Sequence, residues 1–284
     1  MSPSRCRRAG AAGMAVFAAL VATACSPSSD ASGDRLVITG SSTIAPLVAE
    51  IAQHYEREHP GVRIDVQSGG SSRGIADVRG GLADIAMVSR ALVGDEQALH
   101  AYPIARDGVG LIVHTRNAVH ELSDAQVADI YRGEIENWAE VGGRDAPIVV
   151  VHKAEGRATQ EVFLAHFQLD PRDVAADVIA GENEQAVKTV AGQPDAIGYV
   201  SIGTAEVDIE HGVPIRLLAA GGVPATLANV RSGAYPIARP LNLATRESAQ
   251  GPVKDFIDYV HSPVATPIFE AQSFVQLGEG WSGP

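Results

Sequence analysis

The chain has 284 residues, 45% hydrophobic and 20% charged, enough to bury a core in one or two domains and too apolar for a disordered chain. Its formal net charge of -12 argues against nucleic acid as a partner, because a phosphate backbone calls for clustered Lys and Arg. The same balance leaves room for a small anion in a local site, where adjacent donors outweigh distant, screened charges.

At the start, "MSPSRCRRAGAAGMAVFAALVATAC" places Arg5, Arg7 and Arg8 before an apolar run from Ala9 to Ala24. That run is shorter than the roughly 20 residues of a spanning helix, so residues 1–24 read as an export signal. It ends in Ala22-Thr23-Ala24-Cys25, which looks like a bacterial lipobox, with Ala22 where that pattern usually has leucine. Cleavage before Cys25 would leave a lipid-bearing cysteine and a polar tether over residues 25–33. The only other cysteine, Cys6, lies in the removed segment, so no cysteine pair remains for a disulfide, a metal or redox work.

Beyond the tether, β-branched runs alternate with amphipathic ones. "RLVIT" (35–39), "VRIDVQ" (62–67), "DIAMVS" (84–89), "VGLIVH" (109–114), "PIVVVH" (147–152) and "AIGYVS" (196–201) read as buried strands. Between the first two, Pro46 suits the first turn of a helix, Leu47, Val48, Ile51 and Tyr55 form its apolar stripe, and Pro60-Gly61 stops it. Near the end, Pro252 precedes Val253, Phe256, Ile257 and Val260, spaced i, i+3, i+4 and i+7. The alternation predicts an α/β fold with largely parallel sheets, and two lobes house the core more economically than one. "GLIVHTRN" and "YPIARPLNLAT" are extended segments that could cross between lobes.

Small polar residues recur where strands give way to helices. "ITGSST" opens the helix of Ile44 to Glu58, "QSGGSSRG" opens "IADVRGGL", and "VVVHKAEGRAT" opens "QEVFLAHF". Each sets free backbone N–H groups and hydroxyls at the positive end of a helix dipole, the physical recipe for an oxyanion site. Arg73, Arg90, Lys153 and Arg157 could add charge-assisted donors. Each loop alone is also ordinary capping and turn chemistry; their recurrence at carboxyl ends of strands is the signal.

Enzyme chemistry finds less support. Gly70-Ser71-Ser72-Arg73-Gly74 satisfies G-x-S-x-G, but Asp258 and His261, which follow in hydrolase order, sit three residues apart on one predicted helix and read as a structural pair. There is no phosphate-binding G-x-x-x-x-G-K-[ST] loop, no H-E-x-x-H and no G-x-G-x-x-G. The nine histidines show no ligand spacing, "HYEREH" reads as a polar helix face, and Trp138 and Trp281 read as packing residues.

At these loops the chain resembles the phosphate-binding proteins of bacterial phosphate ABC importers, in their shorter branch, over nearly the whole mature length. "TGSSTIAPL" and "SGGSSRGI" match the first two ligand loops, and "DIAMVSRAL", "IARDGVGLIVH", "LSDAQVADIYRGEIENWAEVGG", "AIGYVS" and "YPIARPLNLAT" follow in family order. The resemblance implies a type II periplasmic-binding-protein fold, two α/β lobes joined by two crossing strands that act as a hinge. The expected lobes are residues 34–112, then 113–238, with 239–284 returning to the first. Phosphate would be held by Ser42, Thr43 and the Ile44 N–H, by Ser71, and by Ser89 and Arg90. The fourth loop departs from the family's arginine and Gly-Ser-Gly-Thr: Lys153 stands for the arginine and Arg157 and Ala158 replace serine and glycine, so only Gly156 and Thr159 match. Lys153, Gly156, Arg157 and Thr159 are the expected ligands there.

Phosphate keeps a proton near neutral pH and wants an acceptor, while sulfate suits a donor-only pocket. The family's longer branch supplies an aspartate for this; here Arg90 occupies the matching place and Glu155 is a candidate substitute. The expectation is therefore a monomeric, lipid-anchored solute-binding protein on the outer face of the cell membrane, handing phosphate to an ABC permease and its ATPase, with no catalysis, cofactor or metal. Three alternatives stand beside it: a binder of sulfate, molybdate or arsenate, a serine hydrolase using Ser72, and a surface interaction module without a ligand.

Overall fold

The computed structural model describes residues 33–277; the export signal, Cys25 and Trp281 lie outside them. In the first part of the chain come β1 (Asp34–Gly40), α1 (Ala45–Glu58), β2 (Val62–Ser68), α2 (Ser71–Arg79), β3 (Ile85–Val88) and β4 (His100–His114). There follow α3 (Asp124–Arg132), β5 (Val149–Lys153), α4 (Ala158–Phe167), β6 (Val178–Ala180), α5 (Asn183–Gly192) and β7 (Ala196–Ser201). The last elements are α6 (Ile202–Glu210), β8 (Ile215–Leu217), α7 (Leu227–Ser232), β9 (Ala238–Thr245), α8 (Gly251–His261), α9 (Thr266–Ala271) and β10 (Val275–Gln276).

Local chemistry explains the helix ends. Pro46 occupies the first turn of α1, where its missing N–H costs nothing, and Leu47, Val48, Ile51, Ala52 and Tyr55 are buried. Ser123 and Gln126 cap α3 reciprocally, and Gly133 ends it in the left-handed region at φ 74°. Of the stripe that the periodicity predicts for α8, Phe256, Ile257 and Val260 are buried and Val253 is half-buried.

The strands lie in the order β2-β1-β3-β9-β4-β7-β5-β6. Both wings are parallel, β1 with β2 and β3, and β5 with β6 and β7. The centre is antiparallel, β9 with β3 and β4, and β4 with β7, so the sheet is mixed rather than largely parallel. The reason is that β4 and β9 do not belong to one βαβ winding. They run between two cores.

One core joins Ile38, Leu47 and Ile51 to Ile104, Ala105, Leu241 and Phe256. The other joins Val109, Leu111, Trp138, Phe163 and Tyr199 to Tyr235 and Ile237. On their outer sheet faces, α2 covers Ala86 and Val88, and α5 and α6 cover Ile112 and Val151. Each lobe is thus a sheet between helical layers. Strand β4 passes from the first core to the second between Ala105 and Val109, and the chain returns between Ile237 and Leu241. At this crossing Asp107 lies opposite Arg239 in register, and Gly108 opposite Ala238.

Candidate functional site

Arg239 is the electrostatic centre of the crossing. Its side chain is 1% exposed and that of Asp107 is 0% exposed, with Nη2 and Oδ2 2.8 Å apart. Nε also donates to Asp107 Oδ2, at 3.1 Å. The remaining donors fan outward: Nη2 to Thr43 Oγ1 at 3.2 Å, Nη1 to Thr159 Oγ1 at 2.9 Å and to Ser89 Oγ at 3.4 Å. Every N–H of the guanidinium is therefore engaged, with its charge balanced by Asp107.

Those bonds aim the hydroxyls. Thr43 Oγ1 accepts from Arg239 and from Asn183 Nδ2, the latter at 3.1 Å. With both lone pairs filled, its O–H is left to donate. Ser89 Oγ accepts from Arg239 and from Ser41 Oγ at 2.8 Å, and so is likewise left with a free O–H. Ser71 Oγ accepts the Ser89 N–H at 3.1 Å. Thr43, Ser71, Ser89 and Thr159 are all buried. Together they form a cluster of oriented O–H donors backed by a cation, suited to an oxyanion and unsuited to a cation or an apolar ligand.

The loops hold these groups by backbone geometry. The N–H groups of Gly69 and Gly70 both donate to Gly40 O at 2.8 Å, which folds the second loop back onto the first. Gly70 has φ 100° and ψ 152°, a conformation reserved for glycine. Ile44 N–H, an expected ligand donor, bonds Ser41 O at 3.2 Å inside its own loop. Ser42 lies beside the cluster, lining a groove with Glu182, Asn183 and Thr204.

Of the expected cations, none points its bonds at this cluster. Arg90 bonds both oxygens of Glu96, at 2.6 and 3.0 Å, and pairs with Glu161 at 2.5 Å. Its own burial works against its charge, and the two carboxylates more than offset that, holding the guanidinium above its ordinary value. Arg157 Nη1 bonds Glu182 Oε1 at 2.7 Å. Lys153 Nζ donates to Glu182 O at 2.8 Å. Burial lowers the Lys153 ammonium to about 7; Glu182 raises it, while Arg239 and Arg157 lower it further. Gly156, at φ 79°, brings its carbonyl to the Ser72 N–H of the opposite lobe at 3.3 Å. Glu155, the candidate proton acceptor, is exposed.

The other sequence candidates take structural parts. Ser72 Oγ donates to Glu161 Oε1 at 3.0 Å, so its partner is a carboxylate rather than a histidine. The ring nitrogens of His261 lie 3.0 and 2.9 Å from the carbonyls of Ile257 and Pro103, and Asp258 pairs with Lys254. Trp138 is buried and donates to Asp195 O at 2.9 Å. Burial lowers His152 to about 4, leaving it neutral between Tyr199 and Gln160. Among the described residues no group of His, Cys, Asp and Glu could hold a metal, and no helix is long and apolar enough to cross a membrane.

Residues 26–264 match the model of a PBP superfamily domain. The phosphate-binding protein PstS of Bacillus subtilis is 31% identical over 231 residues, 80% of this chain and 75% of that protein. The chain belongs to the PstS family. A second PstS, from Borreliella burgdorferi, is 26% identical across 84% of this chain and 89% of its own length. Among solved structures, a Clostridium perfringens substrate-binding protein assigned to a phosphate ABC transporter, with phosphate bound, superposes with a TM-score of 0.80 at 31% identity, covering 86% of this chain and all of that one. A phosphate transport receptor of Vibrio cholerae superposes at 0.71 with 28% identity. These relatives are solute-binding proteins. In this PstS chain the central cation is Arg239, and Arg239, Asp107 and Asn183 are the cluster members that lie outside the loop pattern, while Ser41 lies within the first loop beside the expected Ser42. The available signal was an Asp and an Arg, residues almost never buried unpaired, inside the apolar runs "IARDGVGLIV" and "YPIARPLNLA".

Proposed function

We propose that the chain captures inorganic phosphate between its lobes and delivers it to an ABC permease driven by a cytoplasmic ATPase, outside the cell membrane and tethered through a lipid on Cys25. The observation that carries this is the convergence of Thr43 and Ser89 from one lobe and Thr159 from the other on a single buried guanidinium, with Ser71 held beside them by the Ser89 N–H and O–H groups left to donate. An anion held there ties both lobes together, so binding and closure are one event. The Arg239–Thr159 and Thr43–Asn183 bonds already join the lobes across the cleft. Calorimetric titration of the mature chain should show phosphate binding at micromolar Kd or tighter, about -8 kcal/mol or better. Sulfate binding more tightly would favour the other-oxyanion reading, and silence with both anions would remove the proposal.

Lys153 gives the binding a pH dependence. With its ammonium at about 7, a free site loses the proton as pH rises through neutrality, whereas a bound anion favours the charged form. Binding therefore takes up a proton above that point, and affinity declines with rising pH. Arginine stays charged throughout, so Lys153→Arg should hold its affinity between about pH 7 and 9 while wild type weakens relative to it by up to about tenfold per pH unit. The titration of phosphate itself is common to both proteins and cancels. Parallel pH profiles would remove Lys153 from the binding electrostatics.

A further inference from the structure

We propose that Asn183 Oδ1 reads the proton of the bound anion and so separates phosphate from sulfate; the inference rests on the phosphate reading above. Three carboxylates near the cleft are committed to donors. Asp107 Oδ2 takes two bonds from Arg239, Glu182 Oε1 takes Arg157, and Glu161 is shared by Ser72 and Arg90. Asn183 is 4% exposed, and its Oδ1 is a fully buried acceptor with no hydrogen-bond partner. A buried acceptor left unpaired carries a desolvation cost that a matching donor would relieve.

The orientation of the amide follows from its neighbours. Asn183 Nδ2 donates to Thr43 Oγ1 at 3.1 Å and to Thr204 Oγ1 at 3.4 Å. Oδ1 thus shares its amide carbon with the Nδ2 that bonds the Thr43 hydroxyl. Asn183 is also the first residue of α5, so its backbone is fixed. Phosphate carries at least one P–OH near neutral pH and can donate to Oδ1; sulfate has no proton and would leave Oδ1 unpaired among donors it cannot use. A neutral amide performs this discrimination without adding a negative charge to a site that binds an anion.

The test is calorimetric titration of wild type, Asn183→Ala and Asn183→Asp with phosphate and with sulfate at constant pH, with thermal unfolding checked in parallel. Wild type should prefer phosphate, and Asn183→Ala should shrink that preference by about tenfold or more, the discrimination expected for one buried hydrogen bond. Asn183→Asp should weaken phosphate, because a carboxylate cannot donate to Thr43 as Nδ2 does, and should weaken sulfate further still, because it adds repulsion to the unpaired acceptor; the phosphate-to-sulfate ratio should therefore rise, which carries the test if the alanine variant fails to fold. A phosphate-to-sulfate ratio unchanged in both variants, with both anions weakened alike, would overturn the proposal and leave Asn183 as a support for Thr43. Wild type binding both anions equally would also overturn it while the anion site stands. Wild type binding neither would overturn the functional reading itself, and this inference with it.

Discussion

Arg239→Ala is expected to abolish measurable phosphate binding and to lower the melting temperature by about 10 °C. The two losses have separate causes. Removing the guanidinium leaves the Asp107 carboxyl 0% exposed with no cation beside it, and breaking a buried pair from one side costs about 3–5 kcal/mol. In a domain of this size each kcal/mol is worth about 2–4 °C. The binding loss comes from the hydroxyls: Thr43, Ser89 and Thr159 each take a bond from Arg239, and without it they are free to turn toward one another. The paired variant Arg239→Met with Asp107→Leu separates the effects. It replaces both charges by apolar groups, an exchange that is often neutral or stabilising, so the melting temperature should recover while binding does not. Phosphate affinity within tenfold of wild type in that double variant would show that the cluster does not depend on the cation.

How far such a site can be read from the chain depends on the range of the interactions that make it. The three strand-to-helix loops are legible because Ser, Thr and Gly there answer to local rules of capping and positive φ, and the structure places Thr43, Ser71 and Thr159 at those loops. Strand β7 is found at its predicted bounds, since six buried residues need no partner to be recognised. Strand β4 is predicted only for its second half. Its first half, "HAYPIARD", holds a proline and an arginine and becomes a strand by pairing with β9, well over a hundred residues later. The same distance hides Arg239, which meets Thr43 across a separation of 196 residues, and Asn183, which meets it across 140. For Arg90 the backbone position is legible, but the side-chain direction is chosen by Glu96 and Glu161, one of them from the other lobe. Loop chemistry names a site's rim. Its charged centre is set by packing at the crossing, where strand patterns carry only the oddity of a charge among apolar residues.

Gly70→Ala is expected to weaken phosphate binding about a hundredfold while each lobe stays folded. Gly70 sits where the lobes meet: an added Cβ would lie 2.6 Å from Gly156 O and 3.0 Å from Arg157 Cδ, both on the far side of the cleft. Its φ of 100° adds strain of about 1–3 kcal/mol for any residue with a Cβ. The Arg157 side chain can give way; the Gly156 carbonyl cannot, because it accepts the Ser72 N–H at 3.3 Å and fixes the approach of the two loops. The methyl group therefore acts as a wedge. It would hold Thr159 away from Thr43 and Ser89, and an anion could satisfy the donors of one lobe but not of both. With closure and binding coupled, the cost appears in the dissociation constant, tenfold for each 1.4 kcal/mol by which closure is opposed. Small-angle scattering should show the variant keeping a larger radius of gyration than wild type at saturating phosphate, while far-ultraviolet circular dichroism is unchanged. Gly61→Ala is the control, since a Cβ there meets nothing within 4 Å, and its affinity should match wild type. If Gly70→Ala closes and binds as wild type does, the contact between "SGGSSRG" and "KAEGRAT" is not what sets the closed state.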